Sequence, residues 1–434
     1  MVDCMHSFLN FKNFMYAELN LFSNFTMLIG KNGAGKSNLI EGVELLAALA
    51  EGRPLHELVE GRGYSQSANA LRGGIHSCLK FGESEFSLGF SGMIKFLGKN
   101  EKFEYSISIS VDPFPRVSAE RLIVGKRRIF FAITEKDRRD GILDVQFDNF
   151  ARGGQKPHRG IYGDRSLISR YEEVIEGNES GDQEKKLKSV HMVATLKKHL
   201  QSSFVFDPSP KLMRDYVRSG QNTLLKDGSN ISAVLQGLKE RPGGGEALEN
   251  ILRIVRQIPE EPFLEFDFIK TLQNDVLFGI KSAGRLIDAR LISDGTLRII
   301  AVVTALETIS QGSRVVIEEF DNGLHPSRAA ILIGAIKEIV SRRRLNVLLT
   351  THNPATLDSL DKDWLSNVYI CYWSPSDETS LLVNLLDIPK VDSLLESNAS
   401  LGDLVSRSVF EKHLQPRFEE SRKNKALDWL ERLK

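Results

Sequence analysis

Cysteine is scarce in this chain: only Cys4, Cys78 and Cys371 occur among 434 residues. They are far apart, odd in number, and lack a Cys-x-x-Cys pair or a histidine at metal spacing. That argues against a disulfide scaffold or structural zinc site and fits a reducing, cytoplasmic setting. An excess of one charge is also missing, since 57 Lys and Arg stand against 57 Asp and Glu. The balance removes the footprint of a general nucleic-acid binder and leaves only local basic patches. No apolar run is long enough to span a bilayer, so no membrane partner is expected. Met1 to His6 shows no basic stretch followed by an apolar one, so no secretory signal is read there. There is no fixed-period repeat, no sizeable low-complexity tract, and no long heptad run with apolar a and d positions. What remains is an ordinary globular balance, 41% hydrophobic and 26% charged, in a chain long enough for two or three lobes.

Against that plain background, Gly30 to Ser37 reads Gly-Lys-Asn-Gly-Ala-Gly-Lys-Ser, a complete Walker A phosphate loop. Its surroundings have the required form. Phe25 to Ile29 is a short apolar run suited to a buried strand, and Leu39, Ile40, Val43, Leu46, Ala47 and Ala50 recur at helical spacing. Backbone N–H groups and the positive helix end would face an anion. The expected nucleotide-binding residues are Asn32, Gly33, Ala34, Gly35, Lys36, Ser37 and Asn38. Lys36 would reach the β- and γ-phosphates of ATP, and the Ser37 hydroxyl would bind Mg²⁺.

The rest of the chain divides by pattern. Residues 1–80 and 265–390 read as an α/β core. Period-two alternation from Cys78 to about Thr134 predicts an antiparallel sheet, with 81–150 as its subdomain. Asp137 to Gly163 is polar and Gly-rich and reads as a long loop. Residues 151–264 read as a helical insertion, and 391–434 as a helical, charged tail. Leu264 to Leu277 and Leu286 to Leu291 read as strands.

Further motifs fall in the last third. Val315-Val316-Ile317 ends in Glu318-Glu319, a Walker B pattern. Glu318 would point at the Mg²⁺ region, and Glu319 would orient or deprotonate the attacking water. Alone, two acids at a strand end are more often surface carboxylates; a preceding phosphate loop reverses those odds. Ser293-Asp294-Gly295 opens a helical pattern and forms either an anion-binding helix start or a plain N-cap. Asp321-Asn322 follows Walker B directly. His352 ends the apolar run Leu348 to Thr351, where a strand of an α/β sheet meets the ligand crevice, and there it could bond a γ-phosphate oxygen.

In this order the motifs resemble the ABC-type ATPases of the SMC/RecF group, especially the small AAA-21/AAA-15-like ATPases. The resemblance covers roughly residues 1–80 and 280–375. It implies an ABC-type head, with a parallel phosphate-loop sheet, an antiparallel β subdomain, a helical insertion and no long coiled coil. It implies ATP and Mg²⁺ as cofactors, Glu319 and His352 as catalytic residues, and Ser37 and Glu318 at the metal. It also makes Ser293, Asp294 and Gly295 a signature segment acting in trans, and Asp321 and Asn322 the D-loop. Two heads would then sandwich two ATPs. Three departures stand out. The signature reads Ile-Ser-Asp-Gly-Thr where transporters carry Leu-Ser-Gly-Gly-Gln. Walker B has Glu318 where most relatives have Asp, which leaves direct Mg²⁺ contact open. No Q-loop glutamine is evident, although Arg72-Gly73-Gly74 lies in a plausible region and Gln66 is a weaker candidate.

The resemblance extends to the ATPase subunits of bacterial anti-phage systems such as PARIS, which implies a homo-oligomer (a dimer of heads or a larger ring), a separate effector protein and a DNA or phage-derived trigger. The alternative it leaves is a RecF-like DNA clamp. For DNA the candidate basic clusters are Lys126-Arg127-Arg128, Lys185-Lys186, Lys197-Lys198 and Arg342-Arg343-Arg344, each of a kind that is more often a solvated face.

Overall fold

A computed structural model of the chain describes residues 2–20, 24–58, 71–134, 141–258, 264–282, 284–360, 362–389, 391, 394, 400–414, 427–429 and 431. Three sheets organise it. The central one has the order β10-β15-β16-β3-β17-β18. Its strands are β3 (Phe25–Ile29), β10 (Ser203–Phe206), β15 (Arg314–Ile317), β16 (Asn346–Thr351), β17 (Val368–Ser374) and β18 (Thr379–Asn384). All neighbours run parallel except β17 and β18. Short, largely apolar strands such as Phe25–Ile29, buried at every position, are what a sheet covered on both faces needs.

Alternation along these strands feeds two cores. Met27, Ile29, Val315, Ile317, Val347 and Leu349 face one cluster, whereas Leu28, Val316 and Leu348 face the other. The first cluster is closed by α4 (Ile231–Glu240), α5 (Gly244–Val255), α6 (Asp294–Thr308) and α7 (Pro326–Arg343). Nearly every residue of α6 is buried. At roughly 1.5–3 kcal/mol for each Val, Leu or Ile taken out of water, that burial holds the helix against the sheet. The second cluster joins α1 (Lys36–Glu51) and α3 (Gln183–Gln201) to an eight-stranded antiparallel sheet.

That antiparallel sheet has the order β2-β1-β4-β5-β6-β7-β8-β9. It is built from β1 (Val2–Phe11), β2 (Phe14–Asn20), β4 (Glu85–Phe96), β5 (Lys99–Ser110), β6 (Arg116–Val124), β7 (Arg127–Ile133), β8 (Ile142–Phe147) and β9 (His158–Tyr162). A third, small sheet holds β11 (Val217–Arg218), β12 (Glu265–Lys270), β13 (Asp275–Ser282) and β14 (Arg285–Asp288). Short helices complete the chain: α2 (Tyr171–Ile175), α8 (Pro354–Leu357), α9 (Leu401–Ser406) and α10 (Val409–Leu414). The parallel and antiparallel sheets and their helices are the expected α/β head, and no long coiled coil is present among the described residues.

Two expectations need correction. The stretch 137–163 is not a loop throughout. Ile142, Val145 and Phe147 belong to β8, and β9 carries the sheet to Tyr162. The Gly and Arg content around 152–154 masked a hairpin whose strands are only five and six residues long. And β10, inside the stretch read as a helical insertion, pairs with β15 and belongs to the central sheet. Four residues are too few to show a period. Most of the tail beyond Leu414 lies outside the described residues, as does Gln66. No helix of the described residues is long and apolar enough to cross a membrane.

Candidate active site

The site forms where the carboxyl ends of β3, β10, β15 and β16 meet. Parallel register puts Ile317 beside Leu349 and Leu349 beside Met27, so the residues after each strand emerge along one edge. Ligands of open α/β sheets bind at such an edge.

After β3 the chain turns through the phosphate loop into α1. Gly33 and Gly35 take left-handed φ values of 82° and 109°, which a side chain would resist. Gly30 is needed for a different reason, because a Cβ there would lie 2.1 Å from the Cys371 carbonyl oxygen on β17. The Cys371 thiol in turn donates to the Ala34 carbonyl at 3.0 Å. Asn38 donates to Asn13 at 2.7 Å, tying the loop to the β1–β2 turn.

Lys36 is buried, and its ammonium donates to the carbonyls of Gly30 at 2.6 Å and Lys31 at 3.2 Å. Burial lowers its pKa, against the pull of the Cys371 thiol and the Glu319 and Glu318 carboxylates. A buried cation whose bonded partners are neutral carbonyls favours an incoming anion.

Glu318 follows β15 and accepts a hydrogen bond from the Ser37 hydroxyl at 2.8 Å. The two residues expected at Mg²⁺ are therefore side by side, and the longer Glu side chain spans the gap. Burial raises the Glu318 carboxyl above its ordinary range; the Ser37 bond works against this and Asp207 adds to it. Among the described residues no group of three or more His, Cys, Asp or Glu is placed to hold a metal. One hydroxyl and one carboxylate suit Mg²⁺, which usually completes its shell with water and substrate phosphates.

Glu319 stands in a left-handed conformation with φ 43°, a sparsely populated region for a residue with a side chain. Its N–H donates to the Thr350 hydroxyl at 2.9 Å, and its carbonyl accepts from Arg298 at 3.0 Å. The turn aims its carboxylate toward His352, whose Nδ1 is 3.8 Å away, and Asn322 donates to the same carboxylate at 2.9 Å. Glu319, Asn322 and His352 are thus one cluster. Asp321 is buried beneath them and accepts from Thr351 at 2.7 Å and from Thr356. Burial raises its pKa, with the Thr356 and Thr351 bonds opposing.

Ser293 caps α6, its hydroxyl accepting from the Thr296 N–H at 3.2 Å. Arg328 on α7 donates to that hydroxyl at 3.3 Å, and Arg214 pairs with Asp294 at 2.5 Å. The bonds of Ser293 and Asp294 therefore run to α7 and Arg214 rather than to the chain's own phosphate loop. Gly295 lets α6 sit against Leu324, since a Cβ there would come within 3.0 Å of that side chain.

Sequence reasoning missed Asp207. It follows β10, one step past Phe206, whose carbonyl accepts from the Glu318 N–H at 3.0 Å. Burial raises its pKa, Arg298 and Lys226 oppose the rise, and Glu319 adds to it. Arg72 pairs with Glu41 on α1 at 2.9 Å and lies near enough to bias both Asp207 and Glu318. The only signal for Asp207 was an aromatic-rich run, Phe204-Val205-Phe206, ending in an acid and a proline.

A phosphate-loop sequence, two acids after a strand and a histidine thus meet at one sheet edge, an arrangement suited to a nucleotide. Comparison with known proteins agrees. Residues 25–358 match the AAA_21 family, described as AAA domain, putative AbiEii toxin, Type IV TA system. The chain belongs to that family, which places it among ATPases. It is also similar to the DNA replication and repair protein RecF of Exiguobacterium sp. (strain ATCC BAA-1283 / AT1b), 37% identical over 82 residues, 19% of this chain and 21% of that protein. The match thus spans about a fifth of the relative. Among solved structures it is similar to the SMC head domain from Thermotoga maritima, with 13% identity, a TM-score of 0.40, and coverage of 88% of this chain and 99% of that one. An SMC head bound to the C-terminal winged-helix domain of ScpA gives 12% identity, a TM-score of 0.46, and coverage of 87% and 96%.

Proposed function

We propose that this chain binds ATP with Mg²⁺ and hydrolyses it as paired heads, and that the cycle serves as sensor or scaffold of a bacterial anti-phage system, holding or activating a separate effector protein. The observation that carries the catalytic reading is the Ser37–Glu318 bond with the Glu319–His352 cluster beside it on the phosphate-loop edge. Lys36 neutralises the phosphate charge, and Ser37 and Glu318 hold Mg²⁺, which draws charge from the phosphate oxygens when bound. Glu319 orients the attacking water and takes its proton as the terminal P–O bond breaks, while His352 bonds the γ-phosphate. Asp294 is largely exposed at the start of α6, which suits a segment read by a second copy of the chain. The family description, with its putative toxin of a type IV system, fits a role in bacterial conflict. A second reading, an ATP-dependent DNA clamp, is favoured by the stretch similar to RecF.

The test is the mass of the Glu319→Gln protein by light scattering, with and without ATP and Mg²⁺. A monomer that becomes a dimer only with both supports paired heads. A large assembly already present without ATP supports the scaffold reading. Turnover of ATP by this variant at the wild-type rate would place the catalytic carboxylate elsewhere.

A further inference from the structure

The far end of the chain folds back onto the phosphate loop. Lys31, the loop's second residue, donates from its ammonium to the Ser408 hydroxyl at 2.6 Å, across a separation of 377 residues. Glu411 stands 3.9 Å from the same ammonium. Ser408 lies between α9 and α10 and holds a left-handed backbone, φ 53°, which a residue with a side chain seldom adopts. Its N–H donates to the Val405 carbonyl at 3.0 Å and its own carbonyl accepts from Lys412 at 3.3 Å, so it ends one helix and starts the next.

This segment is anchored in the core. Leu401, Leu404, Phe410 and Leu414 join the cluster that holds Leu357. Gly402 sits against α8. Its N–H donates to Asp358 at 2.7 Å, and a Cβ there would come 2.2 Å from the Pro354 carbonyl oxygen. α8 begins just after His352 and Asn353, and its Thr356 donates to Asp321 beneath the Glu319–His352 cluster. Residues 400–414 therefore touch both sides of the site, the phosphate loop through Ser408 and the His352 side through Gly402. Lys31 is where the first contact meets the expected phosphates. Its carbonyl accepts from the Lys36 ammonium at 3.2 Å, while its side chain is tied to Ser408. Asn13 and Cys371 tie down the later part of the loop, at Asn38 and Ala34; Ser408 ties down its start.

We propose that residues 400–414 form a clasp on the phosphate loop, and that Ser408 is a positioning residue for ATP that orders the start of the loop through Lys31. The proposal rests on the nucleotide reading of Gly30 to Ser37. A loop that is already ordered loses less freedom when it takes a ligand, so the clasp strengthens binding. Such coupling is reciprocal: ATP tightens the clasp by the factor by which the clasp tightens ATP. The nucleotide state is thereby passed to the C-terminal segment. The Ser408 bond carries the coupling, because an ion pair as exposed and as long as that of Lys31 with Glu411 contributes little.

The test is titration of ATP with EDTA in place of Mg²⁺, so that hydrolysis does not intervene, together with hydrogen exchange of residues 400–414. Ser408→Gly keeps the left-handed turn and removes the hydroxyl. Its ATP affinity should fall about 3- to 10-fold, the effect of one lost hydrogen bond, with a melting temperature near wild type. Ser408→Asn tolerates the same backbone and can accept from Lys31, so it should restore most of the affinity. Lys31→Met combined with Ser408→Gly should bind no more weakly than Lys31→Met alone. In the wild type, saturating ATP should slow exchange across 400–414. Wild-type affinity in Ser408→Gly, or losses that add in the double variant, would overturn the proposal. So would exchange in 400–414 that ATP leaves unchanged. A wild-type protein that binds no ATP at all would instead sink the nucleotide reading itself, and the clasp with it.

Discussion

Glu318 is one methylene longer than an aspartate would be at this place, and the structure gives that length a use. Its carboxylate accepts from Ser37 at 2.8 Å. Glu318→Asp draws the oxygen back by about 1.5 Å, one C–C bond. The Ser37 contact then opens to about 4 Å, beyond hydrogen-bonding distance. A bond to an ionised, partly buried acceptor contributes roughly 1.5–3 kcal/mol, and tenfold in affinity corresponds to about 1.4 kcal/mol. The Asp variant should therefore bind ATP with Mg²⁺ about 10- to 100-fold more weakly. With EDTA in place of Mg²⁺ it should match the wild type within about twofold, because Lys36 and the loop are untouched. Titration of a fluorescent ATP analogue in both buffers reads the difference. The raised Glu318 pKa adds a direction: Mg²⁺-dependent affinity fades on acidification at a higher pH than an ordinary glutamate would give. An Asp variant that binds Mg²⁺ and ATP like the wild type would show that a shorter acid suffices and that the Ser37 bond has no role in holding the metal.

Lys36→Ala should abolish ATP binding while leaving thermal stability close to wild type, since it removes a buried cation whose bonds among the described residues go to two carbonyls; unchanged affinity would sink the phosphate-loop assignment. Gly30→Ala and Gly33→Ala should separate folding from binding. The first drives a Cβ into the Cys371 carbonyl and lowers the melting temperature, whereas the second meets nothing within 4 Å and costs about 1–2 kcal/mol of left-handed strain. Equal melting temperatures for the two would contradict the packing of β3 on β17. Glu120 is buried, accepts from Tyr105 at 3.0 Å and from the Leu167 and Ile168 N–H groups, and burial pushes its pKa to about 7 from 4.5. The folded state thus holds the proton more tightly than the unfolded one, so this group's contribution is greatest below pH 4.5 and is lost as pH rises to about 7. Between those limits the wild type should lose about 3 kcal/mol relative to Glu120→Gln; parallel pH profiles in urea denaturation would refute it.

Legibility in this sequence followed locality. The phosphate loop was readable because strand, turn and helix are adjacent in the chain, so one stretch of eight residues states the whole geometry. The places of Glu318, Glu319, Asn322 and His352 were readable because each follows a strand or turn directly, and parallel register aligns those ends without further information. Asp207 was not, because its meaning comes only from the pairing of β10 with β15, more than a hundred residues later. The same holds for the groove lined by Lys99, Lys126, Arg127, Arg128 and Lys156, whose cations sit at the starts of β5 and β7, in the β6–β7 turn and in the loop before β9, and acquire a common direction only when the antiparallel sheet closes. Lys185-Lys186 and Arg342-Arg343 looked the same in sequence as Lys126-Arg127-Arg128. What separated them was where the fold put acceptors: Asp182, Asn178, Glu307 and two helix carbonyls for the former, a single shared Asp148 for the latter. A charge run in a sequence therefore marks a surface only after its counter-charges have been located, and at the β6–β7 turn they fall short.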